Sequence, residues 1–169
     1  MNAFVDTNVI VYAHDRMGHA KRDRARALLE NLALDGSLTV STQVLQETYN
    51  ALIRKALVEP AKALSAVEKL AGARVVGSNA AFVLDAIRLS QRFQLSVWDA
   101  LIVQAALAAR CTRLFTEDMQ AGQRFGDLEI VNPFDDTVHE PRAAWPAPPA
   151  KKSTRRAVAK PAAKRAAKR

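Results

Sequence analysis

The sequence has a single cysteine, Cys111, so no disulfide can form within the chain and a fold stapled by such bridges is excluded. The same scarcity fits a reducing compartment. Cys111 closes an apolar run among small and aliphatic neighbours and reads as a small buried hydrophobe, not as a nucleophile. Long uncharged apolar stretches are also missing. The longest, Ala100 to Ala109, is too short to span a bilayer and contains Gln104. The opening Met1-Asn2-Ala3-Phe4-Val5-Asp6 has no cationic region ahead of its apolar residues, so a secretory signal is not expected. These absences point to a soluble, cytoplasmic protein without a membrane partner. Aromatic residues are few, at 6%, and none follows Trp145. Acids are absent from residues 141–169.

What is present divides the chain in two. Hydrophobic residues make up 49% of the sequence, enough for a packed core. The formal charge of +8 suggests nucleic acid, but its distribution matters more than its total. Residues 1–140 hold 15 Lys and Arg against 17 Asp and Glu, and residues 141–169 hold the other 10 basic residues. The basicity therefore belongs to a tail. Pro141, Pro146, Pro148 and Pro149 open it, and from Lys151 onward it is almost entirely Ala, Lys, Arg and Pro. Lys151, Lys152, Arg155, Arg156, Lys160, Lys164, Arg165, Lys168 and Arg169 are unopposed by any acid, and no apolar stripe accompanies them. Such a segment cannot offset the entropy of ordering, so residues 135–169 are expected to form a disordered tail behind a domain of residues 1–134. Its cations suit phosphate neutralisation without base readout. Lacking aromatics, they cannot stack on bases.

Within the domain, hydrophobic periodicity alternates between strand and helix. Short apolar runs at Ala3–Val5, Leu38–Val40, Arg74–Val76, Arg113–Thr116 and Leu128–Val131 read as five strands. Helices are expected over Val9–His14, capped by Thr7 or Asn8, and over Ala20–Leu34. Others run from the Ser41 cap to about Leu57, over Pro60–Leu70, over Ala80–Phe93 and over Val97–Ala109. The third of these helices should bury Val44, Leu45, Thr48, Leu52, Ile53 and Ala56. The last is apolar on nearly every face and should be buried all round. The alternation predicts an α/β fold with a mostly parallel central sheet and helices on both faces. Sites in such sheets form beyond the carboxyl ends of the strands. Asp6 and Asp118 follow strands, and Asp99 opens the apolar helix.

Each acid alone has an ordinary explanation. Asp6 is a candidate helix N-cap. Asp99 stands three residues after Ser96, as in a capping box, and in a first turn where negative charge is favoured by about 0.3–1 kcal/mol. Glu47 lies off the apolar stripe and is placed for a surface pair with Arg54. Asp118, beside Glu117, fits turn chemistry. Convergence changes the reading. Two carboxylates about 6 Å apart repel by roughly 3 kcal/mol at an effective dielectric near 20. Six such pairs would approach ~15 kcal/mol, comparable to the stability of a domain. A cluster of this kind must be protonated or hold a cation, and a hard divalent ion suits oxygen ligands. His14 and His19, with Asp15 between them, read as loop histidines on the surface.

Four blocks carry a resemblance: Phe4-Val5-Asp6-Thr7-Asn8-Val9-Ile10, Gln46-Glu47-Thr48, Ser96-Val97-Trp98-Asp99-Ala100-Leu101-Ile102, and Leu114-Phe115-Thr116-Glu117-Asp118-Met119-Gln120. In this order and at this spacing they resemble the PIN-domain family, most of all the VapC-type toxins of bacterial toxin–antitoxin pairs. The resemblance spans roughly residues 2–134 and includes the closing Ile130-Val131-Asn132-Pro133-Phe134. It implies a catalytic set of Asp6, Glu47, Asp99 and Asp118, with Asp6, Asp99 and Asp118 as metal ligands. It implies Asn8 and Thr116 as pocket residues, with Glu117 a rival to Asp118. The implied reaction is RNA phosphodiester hydrolysis with one or two Mg²⁺ or Mn²⁺ ions. The implied partners are a second copy of the chain and a small antitoxin. The alternative is a PIN-like module that binds nucleic acid through its tail and cuts nothing. A haloacid-dehalogenase arrangement would need an acid two residues after Asp6, and that position is Asn8.

The tail is expected to raise RNA affinity without taking part in the chemistry. A chain ending near Asp136 should keep its cleavage rate at saturating RNA, while its log–log salt slope falls by at most about 6. Loss of the chemical step from a folded truncation would contradict this.

Overall fold

The structure, a computed structural model, describes residues 2–15, 17–55 and 57–135. The chain divides into two units, Met1–Val138 and His139–Arg169, and the description concerns the first alone. The tail cations from Lys151 to Arg169 and the disorder expected of the tail lie outside the described residues, as does Ala56.

The elements run β1 (Ala3–Val5), α1 (Thr7–Tyr12), α2 (His19–Leu34), β2 (Leu38–Ser41), α3 (Thr42–Arg54) and α4 (Pro60–Ala71). They continue with β3 (Arg74–Val76), α5 (Ala80–Phe93), α6 (Val97–Ala108), β4 (Arg113–Phe115), β5 (Arg124–Phe125) and β6 (Leu128–Val131). One sheet holds all six strands in the order β3-β2-β1-β4-β6-β5, parallel except for the β5–β6 hairpin. The mostly parallel α/β sheet flanked by helices is thus present. Successive side chains of a strand point to opposite faces. Ala3, Phe4 and Val5 are nevertheless all buried, as are Leu38 to Ser41. Both faces of the central strands are therefore covered, as βαβ crossovers require.

β1 sits mid-sheet, with the chain winding out through β2 and β3 on one side and returning through β4 and β6 on the other. The reversal lies between β1 and β4, whose registers align Val5 with Phe115. A crevice opens beyond the carboxyl ends of two strands at such a reversal. The core beneath it packs Phe4, Val5, Val40 and Leu114 against Val9, Ile10, Val44 and Val103 from α1, α3 and α6. Cys111 is buried, and burial pushes its thiol up, which leaves it inert.

Several expectations need correction. The β5 strand was not anticipated: two residues carry no periodicity, and it exists because Gly126, at φ 63°, turns the chain back onto β6. The first helix begins at Thr7, and its cap is Asp6, as the strand-to-helix junction suggested, in place of Thr7 or Asn8. The third helix stops at Arg54. α6 is not buried all round: Val97 and Trp98 in its first turn are 42% and 68% exposed. His14 is half-buried, with burial and the nearby Arg26 and Lys69 holding its pKa down, and His19 is the first residue of α2. Among the described residues no helix is long and apolar enough to cross a membrane.

Candidate active site

The last residue before α1 is in extended backbone, φ −80° and ψ 160°, so the chain passes from β1 into the helix through Asp6 alone. Aspartate suits this position because its carboxylate accepts from an unpaired first-turn amide. Here Oδ1 of Asp6 accepts from the Thr7 amide at 2.6 Å. Across the reversal, Thr116 occupies the matching position after β4. Its hydroxyl is buried and donates to Oδ2 of Asp6 at 2.8 Å. The parallel register places these two side chains together.

Two further groups complete this knot. The Asn8 amide nitrogen lies 2.9 Å from Oγ1 of Thr116, 2.9 Å from Oδ2 of Asp118 and 3.3 Å from Oδ2 of Asp6. The Asp118 amide donates to Oγ1 of Thr116 at 3.2 Å. Asn8 thus holds Asp118 towards Asp6, while its own oxygen, Oδ1, is buried without a partner. A buried acceptor left unpaired is costly and marks a place where a donor or a cation is wanted.

Glu47 arrives from α3. Its oxygens accept from Oγ1 of Thr7 and Nε2 of Gln43, each at 2.8 Å. The surface pair with Arg54 is therefore replaced by a tie between α3 and the start of α1. Asp99 arrives from α6. Ser96 caps that helix, accepting from the Asp99 amide at 3.0 Å and donating to Oδ2 of Asp99 at 2.7 Å. Glu117 goes elsewhere: its carboxylate pairs with Lys21, whose ammonium lies over the Tyr12 and Phe134 rings.

Asp6, Glu47, Asp99 and Asp118 all line one cavity of about 450 Å³, together with Asn8 and Glu117. Thr116 lies beneath the cavity, bonded to Asp6. Thr7, Gln43, Tyr12, Lys55 and Trp98 also line it and were not singled out from the sequence. Gln43 and Lys55 were findable, because they stand four residues before and eight after Glu47, in one row along α3 and its cap. Thr7 was not, because its bond to Glu47 joins parts of the chain 40 residues apart. Among the described residues no three His, Cys, Asp or Glu side chains stand in metal-binding geometry. Each carboxylate is bonded to a local donor instead.

The electrostatics are uneven. Burial, aided by the charges of Asp118 and Glu47, pushes the Asp6 carboxyl up from 3.8 to about 6, against the lowering effect of the Thr116 and Thr7 bonds. No cation is among the causes, so the two neighbouring acids reinforce the desolvation.

Residues 3–124 match the family model described as PIN domain, and the chain belongs to that family. Several solved structures share the fold. A toxin–antitoxin complex from Klebsiella pneumoniae aligns with TM-score 0.60 at 19% identity, over 79% of this chain and 99% of that one. VapC20 of Mycobacterium tuberculosis, described as a sarcin–ricin loop cleaving toxin, aligns with TM-score 0.55 at 22% identity, over 69% and 92%. VapBC2 of Rickettsia felis, bound to a DNA fragment from its promoter, aligns with TM-score 0.55 at 20% identity, over 77% and 97%. No curated protein matches the chain.

The Asp6 shift has a definite sign. A carboxyl whose folded pKa is raised binds its proton more tightly when folded, so stability falls as pH rises from about 4 through about 6 and stays lower above that. The loss is on the order of 3 kcal/mol at most. In buffer without divalent metal, Asp6→Asn should therefore flatten the profile and be at least as stable as the parent at pH 7.5. Urea midpoints at pH 4.5 and 7.5 measure this, and equal destabilisation at both would contradict it.

Proposed function

We propose that this chain is a metal-dependent endoribonuclease that hydrolyses RNA phosphodiesters and acts as the toxin of a type II toxin–antitoxin pair. The observation that carries the reading is the convergence of Asp6, Glu47, Asp99 and Asp118 on one cavity at the sheet reversal, with Asp6 buried and, among the described residues, no cation bonded to it. Membership of the PIN-domain family supports it. So do the toxin and toxin–antitoxin descriptions of proteins sharing the fold, one of them described as sarcin–ricin loop cleaving.

The donor set fits a hard divalent ion. It is all oxygen, rich in carboxylate, and includes the orphaned Oδ1 of Asn8. Asp6, Asp99 and Asp118 are the proposed ligands for one or two Mg²⁺ or Mn²⁺ ions. Asp99 would have to turn from Ser96 to serve. Asp118 fits the fourth position better than Glu117, because Asn8 and Thr116 hold it in the knot while Lys21 occupies Glu117. When bound, such an ion supplies a lowered water pKa and neutralises charge growing on the phosphate. The protein's own contribution is positional. Thr116 and Asn8 fix Asp6 and Asp118, and Thr7 and Gln43 fix Glu47 beside them. Glu47 would then accept a proton from an attacking water.

The proposed partners are the RNA substrate, a small antitoxin that covers the cavity, and a second copy of the chain. The alternative, a module that binds nucleic acid without cutting it, has no use for repelling carboxylates held together by dedicated hydrogen bonds. Labelled structured RNA incubated with Mn²⁺ should be cut, EDTA should abolish cutting, and Asp6→Asn and Asp99→Asn should each lower the rate at least about 100-fold. Binding that persists with no cleavage in any metal would favour the module.

A further inference from the structure

An exposed tryptophan lines the carboxylate cavity. Trp98 directly precedes Asp99 in the first turn of α6 and is 68% exposed, although α6 is otherwise among the most buried helices. It lines the cavity and also a smaller groove of about 190 Å³ on its other side, next to Phe82 and Val83 of α5. The indole is thus a ridge between two depressions, with its ring surface available to a flat ligand.

The same cavity has a second feature. Gln43, Glu47, Ala51 and Lys55 all line the cavity, and their four-residue spacing puts them in one row along α3 and its cap. From Glu47 to Lys55 this row advances about 12 Å. Ala51, between them, has a side chain too short to block a strand lying against the helix. Lys55, at the far end, has no ion-pair partner among the described residues. The cavity is therefore acidic where a cation is wanted and basic where a phosphate could sit without one.

We propose that Trp98 is a stacking platform for an unpaired nucleobase and that Lys55 contacts a phosphate, so that the cavity takes a single-stranded segment laid along α3. The proposal rests on the nuclease reading and narrows its substrate. A base within a duplex already has both faces covered, so only a splayed one can stack on Trp98. Aromatic stacking is tolerant of sequence, because every base has a π-face. From Lys151 onward the tail has no aromatic residue, so its cations cannot supply this contact.

The test uses the full-length chain, with inorganic polyphosphate in excess to occupy the tail. Wild type, Trp98→Phe, Trp98→Ala and Lys55→Gln are titrated in Mg²⁺ with single-stranded octaadenylate and with a fully paired RNA hairpin. The chain has two tryptophans, so the difference between wild type and Trp98→Phe isolates the emission of Trp98. Octaadenylate should quench that emission and the hairpin should not. Trp98→Ala should weaken octaadenylate binding roughly 5- to 150-fold with unchanged circular dichroism, and Trp98→Phe should weaken it less. Lys55→Gln should weaken binding and Lys55→Arg should restore it. Equal quenching by polyphosphate alone, or unaltered affinity in Trp98→Ala, overturns the proposal. So does a wild-type dimer that Trp98→Ala converts to monomer with octaadenylate affinity intact, because Trp98 would then belong to a self-interface. Cleavage is followed in the same mixtures. Cutting without quenching removes the stacking platform alone, whereas quenching without cutting supports the platform and removes the nuclease.

Discussion

A carboxylate at the end of the central strand is taken out of water with two other acids near it and, among the described residues, no cation bonded to it. That constraint shapes the site. The Asp6 carboxyl is pushed to about 6 by burial, and every bond around it serves to hold the charged form that burial disfavours. Thr7, Asn8 and Thr116 each contribute a donor, and none brings a positive charge. Lys21 is committed to Glu117 and to the Tyr12 and Phe134 rings instead, and Lys55 lines the cavity eight residues beyond Glu47. Such a centre is under standing electrostatic stress, and a divalent ion relieves it more completely than protonation does at neutral pH.

The sheet order is what brings the acids together. Because the chain reverses between β1 and β4, the residues that follow these strands face each other across one crevice. Asp6 and Asp118, separated by more than a hundred residues of sequence, are joined there through Asn8 and Thr116. α3 and α6 then bring Glu47 and Asp99 to the same cavity. Asp6 and Asp99 do two things at once. Asp6 caps the start of α1 and Asp99 stands in the first turn of α6 behind the Ser96 cap, and each still lines the cavity. Helix capping and a shared cavity are compatible because a cap places a carboxylate where first-turn amides are unpaired, at the mouth of the crevice.

Much of this was legible in the sequence, for identifiable reasons. Long periodic segments such as α2 and α5 carry enough turns to declare their type, and the strand–helix alternation implies a parallel sheet. Asp6, Asp99 and Asp118 could be placed because they stand at element boundaries, where strand ends and helix starts leave a strong local pattern. Glu47 could not, because a helical wheel does not reveal what crosses over the helix. Only the Thr7 contact shows that it faces inward. β5 was too short to show periodicity, and the exposure of Trp98 ran against the apolar composition of its helix. A uniformly apolar stretch shows that a helix is buried on average, not which turn emerges at a cavity mouth.

The most direct test is the number of protons released when Mg²⁺ binds at pH 6, read by calorimetry in two buffers of different ionisation enthalpy. Near its pKa of about 6 the Asp6 carboxyl is about half protonated, so binding at this cluster should release on the order of half a proton, falling towards none at pH 8. Binding with no proton release at pH 6, or binding unaffected by Asp6→Asn, would mean that the ion does not meet the buried carboxylate.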